Sequence, residues 1–130
     1  MRKTKKRNLW LTALLLPLLL AACAPLDNYG FPRIMKFGKE GGSKVCVGSE
    51  SFGNISIHDY DGNGPGTITQ GEYDTVIVTY DWLTVKYRYP QFTVTHFKMT
   101  AQPNTTGRKR TLYVSVAVDD FSADIKVTQR

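Results

Sequence analysis

Three stretches of the chain hold side chains whose types and spacing could do chemistry. In "HDYDGNGPGTITQGEY", residues 58–73, Asp59, Asp61 and Asn63 stand at alternate positions ahead of a glycine, with Glu72 further on; oxygen ligands at that spacing begin a calcium loop. In "KYRYPQF", residues 86–92, Tyr87, Arg88, Tyr89 and Gln91 lie close together. Aromatic faces stack on the C–H faces of a pyranose, while guanidinium and amide groups bond its hydroxyls. In "LAAC", residues 20–23, a thiol follows a basic and then an apolar leader. The surrounding sequence decides how each should be read.

The calcium pattern fails on its count. An EF-hand takes ligands at loop positions 1, 3, 5, 7, 9 and 12, with a bidentate Glu last and a helix on each side. Starting from Asp59, position 12 is Gln70 and Glu72 falls at 14, because Pro65-Gly66 intervenes. The flanks "NISIH" and "YDTVIVTY" are strand-like, and Pro-Gly belongs to turns. A long β-connection accounts for the composition, and a non-EF calcium site built from Asp59, Asp61 and Asn63 stays open. Zinc lacks a ligand set, since His58 and His96 are the only histidines and there is no CxxC. No cofactor is expected.

The first 22 residues carry five positive charges, then an apolar run broken by Pro17, then Leu20-Ala21-Ala22 before Cys23. They read as a signal peptide, to be set aside from fold reasoning. "LAAC" resembles the lipobox of bacterial lipoproteins, which implies cleavage before Cys23 and acylation of its thiol. Residues 23–32 are then the lipidated cysteine and a tether, and residues 33–130 the domain. Removing five of the 17 basic residues leaves 12 against 11 acidic ones, so the mature chain is close to neutral. Its alkaline isoelectric point belongs to the leader and gives no reason to expect nucleic acid as a partner. The expected partner is the membrane, through the lipid at Cys23.

Catalysis has little to stand on. With Cys23 acylated, Cys46 is the one remaining thiol; it sits between two valines on a strand, where nothing suggests activation. His58 and His96 belong to no metalloprotease or nucleophile-elbow pattern. The Asp119-Asp120 pair is explained by a two-residue turn. The expectation is a non-catalytic protein.

Positioning these residues falls to strands. Beyond residue 33, β-branched and aromatic residues recur in short runs between Gly, Asn, Asp and Pro, with almost no helical period. The runs predict strands over 34–37, 44–47, 54–58, 67–69, 74–80, 83–88, 92–101, 110–118 and 121–128. In 110–118, Leu112, Val114, Val116 and Val118 share one parity, as in a strand with one face in a core. The parity slip between Phe92/Val94 and Phe97/Met99 suggests a bulge. The fold class is all-β: an immunoglobulin-like antiparallel β-sandwich of about seven to nine strands. Trp82 is expected at the centre of that core, the alternative being a sugar platform. Asn104 and Gly107 suit a tight turn, and the fork of Arg110 suits loop carbonyls or a carboxylate. In "KYRYPQF", an inward Tyr87 leaves Arg88 outward and Tyr89 free at the loop. The plainer account there is that the aromatics staple a sheet edge.

The C-terminal stretch "AQPNTTGRKRTLYVSVAVDDFSADIKVTQ", with "IMKFGKEGGSKVCVGSE" and "YDWLTVKY" upstream, resembles the BACON domain, a Bacteroidetes-associated immunoglobulin-like sandwich with a proposed role in carbohydrate binding. The resemblance covers residues 34–129 and departs from the family over 52–74. It implies a glycan or glycoprotein as ligand, with Tyr89, Arg88, Gln91 and Tyr87 as candidate contacts. The alternative is a structural spacer or a subunit that engages another envelope protein. The implied location is the bacterial cell envelope, lipid-anchored to the outer membrane. Surface-exposed lipoproteins of that group often carry an acidic run after the cysteine; "CAPLDNYG" has only Asp27, which points to a periplasm-facing domain.

Overall fold

The computed structural model describes residues 28–88 and 95–130. Nine strands run in chain order: β1 Ile34–Phe37, β2 Gly42–Val47, β3 Ile55–His58, β4 Thr67–Gln70, β5 Thr75–Tyr80, β6 Leu83–Arg88, β7 His96–Ala101, β8 Arg110–Val118 and β9 Phe121–Gln129. They form a sandwich of two sheets, one ordered β1-β9-β8-β3 and the other β2-β7-β6-β5-β4. All nine runs seen in the sequence are strands. The proposed bulge falls partly on residues 92–94, outside the described residues.

One pair departs from the antiparallel expectation. β1 lies parallel to β9, with Ile34 opposite Lys126 and Phe37 opposite Gln129. Alternation fixes which face a strand buries, yet reads the same in both directions, so the sequence carries no sign of this.

The core follows from parity. Val78, Val85 and Met99 from one sheet meet Ile57, Val114, Val116 and Ile125 from the other, all fully buried. Two hairpins close on two residues each, Asp81-Trp82 between β5 and β6 and Asp119-Asp120 between β8 and β9. In both, the leading Asp has positive φ, 54° and 51°. Asp tolerates that left-handed geometry better than most residues.

The segment expected as tether extends less far than residue 32. From Asn28 onward it packs: the Asn28 side chain donates to the Asp124 carbonyl at 2.7 Å and accepts from the Asp124 amide at 3.2 Å, as a strand would. Phe31 is 4% exposed and sits in an aromatic cluster, 5.5 Å from Phe97 and 6.2 Å from Phe52, ring centre to ring centre. Phe52 in turn meets Tyr87 edge-on at 5.4 Å. Gly48 is the matching residue, because a Cβ there would come within 2.4 Å of the Phe31 ring. Gly30 and Pro32 on either side disguise a core residue as linker.

Cys46 is buried, and its thiol lies 2.9 Å from the Met35 sulfur. Burial pushes its pKa up to about 12. The neutral thiol acts as a small apolar group there.

Candidate functional site

Strand alternation along β6 sends Leu83, Val85 and Tyr87 into the core and leaves Lys86 and Arg88 facing solvent. Of the four candidate glycan contacts, Tyr89 and Gln91 lie outside the described residues. Tyr87 is 7% exposed and belongs to the aromatic cluster, so it cannot present a ring face to a sugar. Arg88 is exposed at the end of the strand, with Nη2 3.5 Å from the Tyr73 carbonyl.

A surface cavity of about 200 Å³ opens at this place. Thr75, Lys86, Arg88, His96 and Lys98 line it, over a floor that includes Tyr87 and Phe97. Lys86 and Lys98 are directly opposite one another on β6 and β7. Sequence reasoning missed Lys86, His96 and Lys98 as a group, because their meeting depends on hairpin register across a seven-residue connection.

It also missed Tyr73. This residue stands in the β4–β5 turn and is 80% exposed. Both Tyr73 and Asp74 have positive φ, 54° and 60°. A bulky residue in that region is an outlier, and such strain clusters at sites of function. The turn is closed by the Thr75 amide donating to the Glu72 carbonyl at 3.1 Å and the Gly71 amide to the Thr75 carbonyl at 2.7 Å. It sets an exposed ring in the turn whose carbonyl meets Arg88.

At the opposite end of the sandwich, the residues of the tight turn form a buried framework. Asn104 is 2% exposed; its amide donates to the Arg108 carbonyl at 2.7 Å, and its oxygen accepts from the Thr106 amide and hydroxyl. Gly107 takes φ of 75° beside it. Arg110 donates through Nε to Gln129 at 2.8 Å and through Nη2 to the carbonyls of Gln102 and Pro103. Its guanidinium also lies over the Trp82 ring, 4.7 Å from the centroid. Trp82 occupies the Asp81-Trp82 turn and is 3% exposed, a core residue at the end of the sandwich. No face is left for a sugar to stack on.

The 59–66 connection is held by its own side chains. Asp59 accepts from the Asn63 amide at 2.8 Å, from the Asn63 side chain at 2.9 Å and from the Tyr80 hydroxyl at 3.1 Å. The Asn63 bond holds the Asp59 carboxyl below its ordinary pKa, with the backbone amide and Tyr80 adding to it. Tyr80 is shifted up, first by burial and then by that carboxylate. Asp59 and Asn63 satisfy each other, and Asp61 is left exposed on its own. Among the described residues there is no group of three or more His, Cys, Asp or Glu placed to hold a metal ion.

Sensor EF-hands bind calcium at about 10⁻⁷–10⁻⁵ M. A loop already closed by its own amide should be far weaker, and a ligand stabilises only as RT ln(1 + [L]/Kd). Millimolar calcium is expected to leave the melting temperature where it was. Micromolar binding by calorimetry, lost in Asp59→Ala, would overturn that expectation.

The chain matches no family model and no curated protein. It is similar in structure to a protein from Bacteroides thetaiotaomicron solved by NMR, at 18% identity over 82% of this chain and 79% of that one, with a TM-score of 0.47.

Proposed function

We propose that the protein is a non-catalytic, lipid-anchored envelope module that holds a glycan at the open ends of β5, β6 and β7. The observation that carries this reading is the cavity beside Arg88, which adjoins a strained turn displaying the Tyr73 ring. An exposed ring and a guanidinium are the two kinds of group that sugar recognition uses. The resemblance of residues 34–129 to the BACON domain supports the same ligand class. The lipobox-like "LAAC" supports anchoring through Cys23 to the outer membrane, facing the periplasm.

A spacer or protein-binding role is the second reading, and one observation favours it: Trp82 and Tyr87, two of the aromatics that could have served a sugar, are core residues.

A glycan array probed with residues 24–130, the mature chain without its lipidated Cys23, separates the two. Binding that is lost in Arg88→Ala and Tyr73→Ala, with melting unchanged, supports the glycan module. An array without any ligand leaves the spacer or partner reading. Anchoring is tested separately: Cys23→Ala should move the protein from the membrane fraction to the soluble one, and equal membrane retention of both forms would refute acylation at that residue.

A further inference from the structure

The glycan proposed for this site has a chemical class written into the outer face of the sheet. Lys86 and Lys98 are cross-strand partners. Like charges directly opposite on a sheet destabilise it, and ordinary sheets place an acid or a neutral residue there. Two residues further along the same strands come Arg88 and His96, which line the same cavity. The neighbours that continue the Lys86–Lys98 row on the flanking strands are Val45 and Ile77, both aliphatic. Among the described residues, no carboxylate lines the cavity. Among the described residues, the polar partner of these cations is the Tyr73 carbonyl on Arg88. Lys86, Lys98 and Arg88 gather positive charge in one recess with, among the described residues, no carboxylate in its lining.

A second feature lies one row away on the same face. Ser43, Thr100, Thr84, Thr79 and Thr67 are successive cross-strand partners, so one hydroxyl from each of the five strands forms a line across the whole sheet. Ser43 and Thr100 are hydrogen-bonded at 2.8 Å, and Thr79 and Thr84 at 3.3 Å. Strands are spaced by about 4.8 Å, and rows two residues apart by about 7 Å. A recess with cations beside a line of hydroxyls suits an extended polymer that bears both acid groups and hydroxyls.

Resting on the glycan reading above, we infer that the ligand is an acidic glycan, its carboxylate or sulfate groups bound by Lys86, Lys98 and Arg88 and its hydroxyls by the serine–threonine row.

The experiment pairs each anionic polymer with a neutral twin: polygalacturonate with highly methyl-esterified pectin, and dextran sulfate with dextran, each titrated against the mature chain. One anionic member of a pair is expected to bind, with its neutral twin at least tenfold weaker and the affinity falling as salt rises. Lys86→Gln/Lys98→Gln should weaken that binding at least tenfold and leave the melting temperature unchanged or slightly higher, since the opposed charges are gone. Equal binding of charged and neutral twins, binding of neither anionic polymer, or indifference to the double substitution would overturn the inference. So would preferential binding to vesicles of phosphatidylglycerol, which would make the recess a membrane contact. A neutral glycan captured on the array through Arg88 and Tyr73 would leave the glycan module standing and remove only its acidic ligand.

Discussion

Replacing Trp82 with alanine is expected to destabilise the domain by about 3–5 kcal/mol, the usual cost of truncating a buried aromatic. For a domain of this size, that is a fall in melting temperature of roughly 15–30 °C. The effect has two physical parts. The indole fills the bottom of the sandwich at 3% exposure, in the two-residue turn that closes the β5–β6 hairpin, and its removal leaves a cavity there. Arg110 also loses the ring beneath its guanidinium, an interaction worth about 0.5–2 kcal/mol. Trp82→Phe, which keeps a ring, should recover much of the loss. A urea titration in which Trp82→Ala costs less than 1 kcal/mol would show that the residue is not part of the core.

Gln129 gives the second large effect. Its side chain is 1% exposed and fully used: Oε1 accepts from Arg110, and Nε2 donates to the carbonyls of Gly38 at 3.1 Å and Gln102 at 2.7 Å. One amide thereby ties the β1–β2 turn, the β7–β8 connection and the start of β8 to the end of β9. Gln129→Leu keeps the volume and removes all three bonds, leaving the Arg110 Nε–H without its acceptor. About 2–4 kcal/mol should be lost, at roughly 0.5–1.5 per neutral bond and more for the charged one. Gln129→Glu is the informative companion. It restores an acceptor for Arg110 but turns an oxygen towards two carbonyls that need a donor, so it too should be less stable than the parent. Denaturation midpoints within 0.5 kcal/mol of the parent for both variants would rule out this role.

Gln129 also marks where the sequence stops being readable. Short β-branched and aromatic runs located every strand, and alternation oriented those with one face in the core and one in water. At the end of β9 that rule fails: Val127, Thr128 and Gln129 are consecutive and all buried, although Thr128 lies on the face that alternation would leave wet. The strand predicted over 44–47 begins two residues earlier, at Gly42, which pairs with Ala101; glycine is rare in strands and gave no sign of it. Phe31 was hidden by its glycine and proline neighbours. The candidate site was half legible. Arg88 and the inward Tyr87 follow from parity, but the opposition of Lys86 and Lys98 is a matter of register. The conformation that exposes Tyr73 is imposed by a turn that no local residue preference would select.

The pairing of the first strand with the last has a consequence for how the molecule comes into being. Ile34 and Lys126 are 92 residues apart in the chain, as are Phe37 and Gln129. β2 waits for β7 and β3 for β8 in the same way. Only the β4–β7 meander and the β8–β9 hairpin can zip up from neighbouring segments, so the topology is rich in distant contacts and folding should be slow, on a timescale of milliseconds to seconds. During synthesis the N-terminal third has nowhere to pair until the C-terminal third exists. Until then the backbone groups along β1, β2 and β3 have no strand partner, and the chain is open to mispairing with other chains.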